Sequence, residues 1–186
     1  MPEKENSSGE NLRPKNQDLR PTVVIPACNE ASRITQVIKE TKPFAEEILV
    51  IDDHSTDDTV TVAQETGARV ITNSHGSGYI GSIKTGFQEA NNQVVVTLDG
   101  DGEHDPKGIP KLTKPIEEDI ADLVLGRRKK IARPSEKLLC SITKLQVNVT
   151  DCGTGFRAIK KELAKRLELK GKCTCGTFVL EADSLG

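Results

Sequence analysis

The sequence predicts an α/β fold: three layers, with helices on both faces of a mostly parallel sheet. Three observations carry that expectation. Short runs rich in Val, Ile and Leu recur at 21–26, 47–51, 69–72, 94–98 and 121–125. Between them, apolar residues return every three or four positions, the period of a helix with one buried face. Strand-like and helix-like segments alternate, which is the pattern that builds right-handed βαβ crossovers and parallel sheets.

The elements follow in order. Residues 1–20 are polar, include Pro2 and Pro14 and lack periodicity, so a disordered arm is expected there and the folded domain over 21–186. After the first strand, Ser32 opens a helix with Ile34, Val37 and Ile38 on one face, and Pro43 ends it. The second strand, 47–51, runs into Asp52 and Asp53. Ser55, Thr56, Asp57 and Asp58 then offer N-cap hydroxyls and first-turn acids to a helix reaching about Thr66, stopped by Gly67. A third strand over 69–72 leads to a helix with Ile80, Ile83, Phe87 and Ala90 on one stripe. Beyond the fourth strand, Asp105 and Pro106 read as N-cap and first-turn proline of a helix with Ile109, Leu112 and Ile116 inward. A fifth strand is expected over 121–125, helices over 134–145 and 160–169, and a last strand over 177–182.

Composition narrows the function. At 186 residues the chain supports one domain with a substantial core. A formal net charge of −2 supplies no global basic field for nucleic acid or an anionic membrane. With no Trp and only five aromatic residues, base-stacking platforms are not expected. No apolar run approaches the roughly 18 residues that span a bilayer. The N-terminus lacks a signal-peptide pattern, so a cytoplasmic location is expected. The five cysteines, odd in number and scattered, are then expected to be free thiols. Cys173 and Cys175 could ligate a soft metal with Cys152, but neither a His nor CxxC spacing supports zinc.

The chemistry gathers in 94–106, VVVTLDGDGEHDP. Continued as an extended segment, it points Asp99, Asp101 and Glu103 the same way. Three converging carboxylates repel unless a cation sits between them, and an all-oxygen set suits Mg²⁺ or Mn²⁺ rather than zinc. The alternative is a polar loop that merely closes the strand. Ligands of open parallel sheets lie beyond the carboxyl ends of the strands. The polar stretches 27–30, 52–54, 73–78, 99–105 and 126–128 are therefore expected on one rim. Several nucleotide and metal folds fail by spacing. No G-x-G-x-x-G follows the first strand, and no G-x-x-x-x-G-K-[ST] occurs. An EF-hand loop from Asp99 would have His104 where Gly is needed and Pro110 where Glu is needed. A haloacid-dehalogenase-type phosphatase carries its D-x-D on the opening strand, not the fourth.

Four stretches resemble, in order, the motifs of the family 2 glycosyltransferases: VVIPACNE at 23–30, ILVIDDHSTD at 48–57, LDGD at 98–101 and GTGFRA at 153–158. Within that family they are similar to the dolichyl-phosphate mannosyltransferase and polyprenyl-phosphate glucosyltransferase branch, and the match runs from about Thr22 to about Asp183. The resemblance implies a GT-A fold and transfer of a sugar from a nucleotide diphosphate donor of the GDP-mannose or UDP-glucose type. It implies that Asp101 and Glu103 hold the metal against the donor phosphates, with Asp99 in the metal shell or at the ribose and Gly100 in the same donor-binding motif. Pro26, Ala27, Asn29 and Glu30 would border the base, and Asp53 would bond base or ribose. Gly76, Gly78, Gly81 and Lys84 read either as a phosphate-facing loop or as a flexible turn with a solvated lysine. Arg127 and Arg157, and to a lesser degree Arg128, would fork onto the acceptor phosphate or donor diphosphate.

The acceptor decides whether a base is needed. A sugar hydroxyl loses its proton as it attacks, whereas a phosphate monoester is already an anionic nucleophile. Asp151 is the nearest candidate base, and no Glu-Asp pair follows it, which favours a lipid phosphate. Asp101, Arg157 and Asp151 are thus the catalytic candidates. The expected protein is an inverting, metal-dependent enzyme that charges a polyprenyl or dolichyl phosphate and works peripherally at the cytoplasmic face of a membrane. Lys129, Lys130 and Arg133 offer it a modest basic patch. Two departures from the family pattern qualify this. Glu103 stands where relatives carry Gln or a similar polar residue, and the sequence stops at Gly186, where relatives continue with a strand and a helix. The short end implies an open sheet edge, a route to a homodimer, and an alternative reading as a nucleotide-sugar-binding protein without turnover.

Overall fold

A computed structural model describes residues 20–128, 140, 141, 143, 146, 147, 149, 151–170 and 176–185. The expected arm (Arg20 apart), Lys129, Lys130, Arg133, Cys173 and Cys175 lie outside the described residues, as does most of the helix expected over 134–145. Of that helix Cys140, Ser141 and Thr143 are described, and all three are helical.

The elements are β1 (Thr22–Ala27), α1 (Ala31–Thr41), β2 (Glu47–Asp52), α2 (Thr59–Glu65), β3 (Arg69–Thr72), α3 (Tyr79–Glu89), β4 (Val94–Thr97), α4 (Ile109–Glu117), β5 (Leu123–Leu125), β6 (Arg157–Lys160), α5 (Lys161–Arg166) and α6 (Thr177–Ser184). The strands form one sheet in the order β3-β2-β1-β4-β6-β5. β1, β2, β3 and β4 pair in parallel. β6 runs antiparallel to both β4 and β5.

Side-chain alternation divides the core into two layers. Val23, Ile25 and Ala27 of β1, with Val94 and Val96 of β4 and Ala158 of β6, face α1, α2 and α4 through Ile34, Ile38, Ala63, Ile109 and Leu112. Val24, Val95 and Ile159 face α3, α5 and α6 through Ile83, Phe87, Ala164 and Phe178. Each large aliphatic side chain buried this way contributes roughly 1.5–3 kcal/mol against exposure. Helix α3 lies close to the sheet because Gly86 has no side chain; a Cβ there would collide with Val24. The expected three-layer, mostly parallel architecture is the one observed.

Three expectations change. The segment 177–182, read as a strand, is helix α6, and its buried residues Phe178, Val179 and Ala182 have helical spacing. Strand β6 takes the place of the expected last strand, immediately before a helix that is shorter than 160–169. The helix expected from Ser55 begins only at Thr59, because the hydroxyls and acids of 55–58 are used to join two loops.

Candidate functional site

The carboxyl ends of β1, β2, β4 and β5 share one rim. Because β6 runs the other way, its N-terminal end brings Gly153–Arg157 to that same rim. Chain reversal therefore unites motifs more than 120 residues apart, from Pro26 to Phe156.

The first two motifs interlock. Asn29 sits in the left-handed region at φ 58°, which Asn tolerates, and so does His54 at φ 60°. The Asn29 amide donates to Ser55 Oγ at 3.0 Å, and its side-chain Oδ1 accepts from the Thr56 amide at 2.8 Å. The Glu30 amide donates to Thr59 Oγ1 at 2.8 Å, while the Glu30 carboxylate pairs with Arg33 at 3.2 Å. Asn29 thus acts on the loop beside it, and Pro26 and Ala27 form the wall below.

Asp53 has two partners of its own. Its carboxylate accepts from the Gly78 amide at 3.0 and 2.7 Å and from Asn73 Nδ2 at 2.9 Å. Asn73 in turn holds Ser82 and Thr85. A Cβ on Gly81 would come within 2.7 Å of the Gly76 carbonyl and 2.9 Å of Asn73. Asp53 therefore fixes the glycine loop over the start of α3, and Asn73, in sequence only the first residue of a polar stretch, is the bracket between them. Lys84 points elsewhere, into a cleft of about 380 Å³ shared with His75, Phe87, Leu167, Glu168 and Lys170.

The acidic turn departs from the extended geometry read from sequence. Strand β4 ends at Thr97, and Gly102 at φ 79° turns the chain. Among the described residues, no three His, Cys, Asp or Glu side chains stand close enough to share one ion. Instead, Asp99 is pinned: His104 Nε2 lies 3.1 Å from its Oδ2, and a Cβ on Gly155 would collide with its carboxylate. His104 stacks on Phe156 with ring centroids 5.4 Å apart. Gly100 lies against β1, where an added Cβ would be 3.1 Å from the Pro26 carbonyl. Thr97 Oγ1 donates to the Gly155 carbonyl at 2.6 Å, closing the group. Asp101 and Glu103 are left exposed, with Asp101 Oδ1 accepting from the Glu103 amide at 2.9 Å. His104 was visible in the sequence directly after Glu103, but nothing in the sequence marked its partner.

The remaining candidates move away from the rim's open face. Asp151 is 3% exposed and tied to Arg128, which donates through Nε at 2.9 Å, through Nη2 at 2.9 Å and through its amide at 3.1 Å. Burial alone would raise the Asp151 pKa. The Arg128 hydrogen bonds and charge, with the Gly153 amide, hold it below the usual carboxylate range instead. Such a group is a poor proton acceptor at neutral pH, which corrects its reading as a base. Arg157 is 1% exposed, with its guanidinium 4.3 Å from the centre of the Phe178 ring. Its place on β6 directs it under α6, away from the acidic turn. Arg127 is exposed beside Arg128.

Residues 22–168 match the family described as Glycosyl transferase family 2. Dolichol-phosphate mannosyltransferase of Pyrococcus furiosus is 29% identical over 173 residues, 81% of this chain and 49% of that protein. An uncharacterized glycosyltransferase of Mycobacterium tuberculosis is 38% identical over 111 residues, 60% of this chain and 50% of the relative. The chain spans about half the length of these relatives. Among solved structures, M. tuberculosis glucosyl-3-phosphoglycerate synthase in complex with Mn²⁺, UDP-glucose and phosphoglyceric acid aligns with a TM-score of 0.67 at 27% identity, covering 76% of this chain and 57% of that one. The matched span takes in every strand of the sheet and all four motifs that meet at the rim, and on that footing the chain belongs to glycosyl transferase family 2, with a GT-A fold.

Proposed function

We propose that this chain is an inverting glycosyltransferase that uses Mg²⁺ or Mn²⁺ to move a sugar from a nucleotide diphosphate to a polyprenyl phosphate. One observation carries the reading: the Asp99–Asp101 turn is clamped between Pro26 of the first motif and Gly155 of the last. The relatives include dodecaprenyl-phosphate galacturonate synthase and undecaprenyl-phosphate 4-deoxy-4-formamido-L-arabinose transferase, whose names carry the same class of acceptor.

A divalent ion suits the carboxylates present. Mg²⁺ is held by one or two carboxylates, with substrate phosphates and water completing its shell, so no three-residue protein cage is required. Asp101 and Glu103, exposed on the turn, would hold it, and Asp99 is fixed next to them. When bound, the ion supplies charge neutralisation to the leaving nucleoside diphosphate.

The chain's own residues do the rest. Pro26, Ala27 and the Asn29–Thr56 link shape the wall for the base. Asp53 keeps the Gly76–Gly78 loop in place. Arg127, exposed just past β5, would meet the acceptor phosphate. That phosphate oxygen attacks the anomeric carbon as the bond to the diphosphate breaks, and the sugar inverts. A phosphate monoester brings its own negative charge. The latching of Asp151 by Arg128 therefore costs the reaction nothing, whereas a hydroxyl acceptor would need a base that Asp151 does not provide. The acceptor would be met at a membrane surface; among the described residues no helix is long and apolar enough to cross a membrane.

The test is incubation of the protein with Mn²⁺, polyprenyl phosphate and radiolabelled GDP- and UDP-sugars. Label in the lipid phase is the expected result, and Asp101→Asn should abolish it along with metal-dependent donor binding. Tight donor binding without transfer or hydrolysis would sink the enzyme reading in favour of a nucleotide-sugar-binding protein.

A further inference from the structure

Beside the rim, Cys140, Cys152 and Val179 form a third small apolar cluster, packed by Leu125, Val147 and Val149. Neither thiol has a part in the chemistry above. Both are buried, at 3% and 0% exposure. Their Sγ atoms stand 2.6 Å apart, and the Cys152 amide points at Cys140 Sγ from 3.2 Å. Non-bonded heavy atoms in a core settle at roughly 3.5–4 Å, so two thiols packed merely as hydrophobes would not sit this close. Packing alone does not explain the pair, and among the described residues no third His, Cys, Asp or Glu joins it. Nucleophilic catalysis does not explain it either. Burial first, and then the neighbouring Cys140, push the Cys152 thiol up to about 12, away from the thiolate a nucleophile needs.

We propose that Cys140 and Cys152 form a redox-dependent disulfide that staples the helical turn carrying Cys140 to the loop that backs the acidic turn. The two thiols give up two protons and two electrons. With oxidised glutathione as acceptor, one thiolate attacks its disulfide and releases one glutathione. The second cysteine then displaces the other, leaving the protein disulfide and two reduced glutathiones. Because the thiols are buried and protonated in the folded chain, closure occurs while the chain folds or when this cluster opens. The crosslinked loop is short, with a sequence separation of 12. It ends next to Asp151, which holds Arg128, and three residues before Gly155, which packs on Asp99. Oxidation therefore stiffens the wall behind the D-x-D turn.

The test uses the full chain carrying Cys28→Ser, which removes one exposed thiol. It is reduced and unfolded in urea, refolded in glutathione buffers graded from reducing to oxidising, alkylated, digested and mapped by mass spectrometry. The expected result is a Cys140–Cys152 peptide pair that rises with oxidation, together with a higher Tm for the oxidised form than for the reduced form of the same chain. Cys152→Ser should remove that difference. Finding both thiols alkylated in the most oxidising buffer would overturn the proposal, and so would a Cys152 linked mainly to Cys173 or Cys175. Neither outcome depends on whether the protein transfers sugar.

Discussion

Removing Arg128 tests whether Asp151 is a latch or a base. In Arg128→Ala the Asp151 carboxylate, with a side chain 2% exposed, loses the guanidinium and keeps only two backbone amides, at position 128 and at Gly153, among the partners described above. Breaking a buried ion pair by deleting one partner typically costs 3–5 kcal/mol, because a charge is left buried and uncompensated; we expect about that loss here. For a domain of this size it corresponds to a drop of roughly 6–20 °C in Tm. The pH dependence carries the distinctive sign. In the native chain the folded pKa of Asp151 lies below the unfolded value near 3.9. Its stabilisation is therefore present above that value and lost as pH falls through the folded pKa. In Arg128→Ala the side-chain bonds and charge go while burial stays, so the folded pKa is expected above the unfolded one. The variant is then best off below the unfolded pKa and loses stability as pH rises through the raised value. Thermal unfolding of both proteins from about pH 7 to about pH 4 should show the gap between them shrinking. A gap under about 1 kcal/mol, or one that does not change with pH, would refute the latch.

Two further substitutions probe the donor side. Gly155→Ala drives a Cβ into the Asp99 carboxylate, which must turn away from His104. Because Asp99 can swing toward solvent, Tm should fall little. Mn²⁺-dependent binding of a nucleoside diphosphate, read by calorimetry, should weaken by about tenfold, near 1.4 kcal/mol; unchanged affinity would separate Asp99 from the donor. Asp53→Ala strips the acceptor from the Gly78 amide and Asn73 Nδ2. The unmade bonds should cost about 1–3 kcal/mol in urea unfolding, with donor affinity lost in parallel. Weaker binding at full stability would instead mark Asp53 as a direct ligand contact.

The parts of the fold that were legible in sequence are those whose pattern is self-contained. Strands β1, β2 and β4 are unbroken apolar runs, and Ile34, Val37 and Ile38 declare the buried face of α1 without outside help. Strand β6 was hidden because Arg157 and Lys160 flank only two apolar residues and a helix begins directly after it. Helix α6 misled in the opposite direction: Thr177, Phe178, Val179 and Leu180 are good strand formers, and the burial of Phe178 against Phe87 decides the matter only in three dimensions. At the site the residue types were legible and the geometry was not. The alternation of Asp99, Asp101 and Glu103 presumed a strand that stops at Thr97. The fate of Asp151 depended on a partner 23 positions away. Arg157 was lost to the interior once β6 existed to carry it there.

The reversal of β6 also shapes what this scaffold can become. β5 climbs to the rim and β6 descends from it, and the Gly126 amide joins the Phe156 carbonyl at 2.8 Å where the two part. The chain leaves the sheet at Gly126 and rejoins it at Phe156 on that same rim. Both strand registers are set outside that interval, by pairings that begin at Leu125 and Arg157. The parts of the clamp on β1, β2 and β4 lie outside that interval, and Gly155 closes the clamp from the returning end of it. Under the proposed function, this excursion is where acceptor range would vary while the loops of β1, β2 and β4 keep the donor.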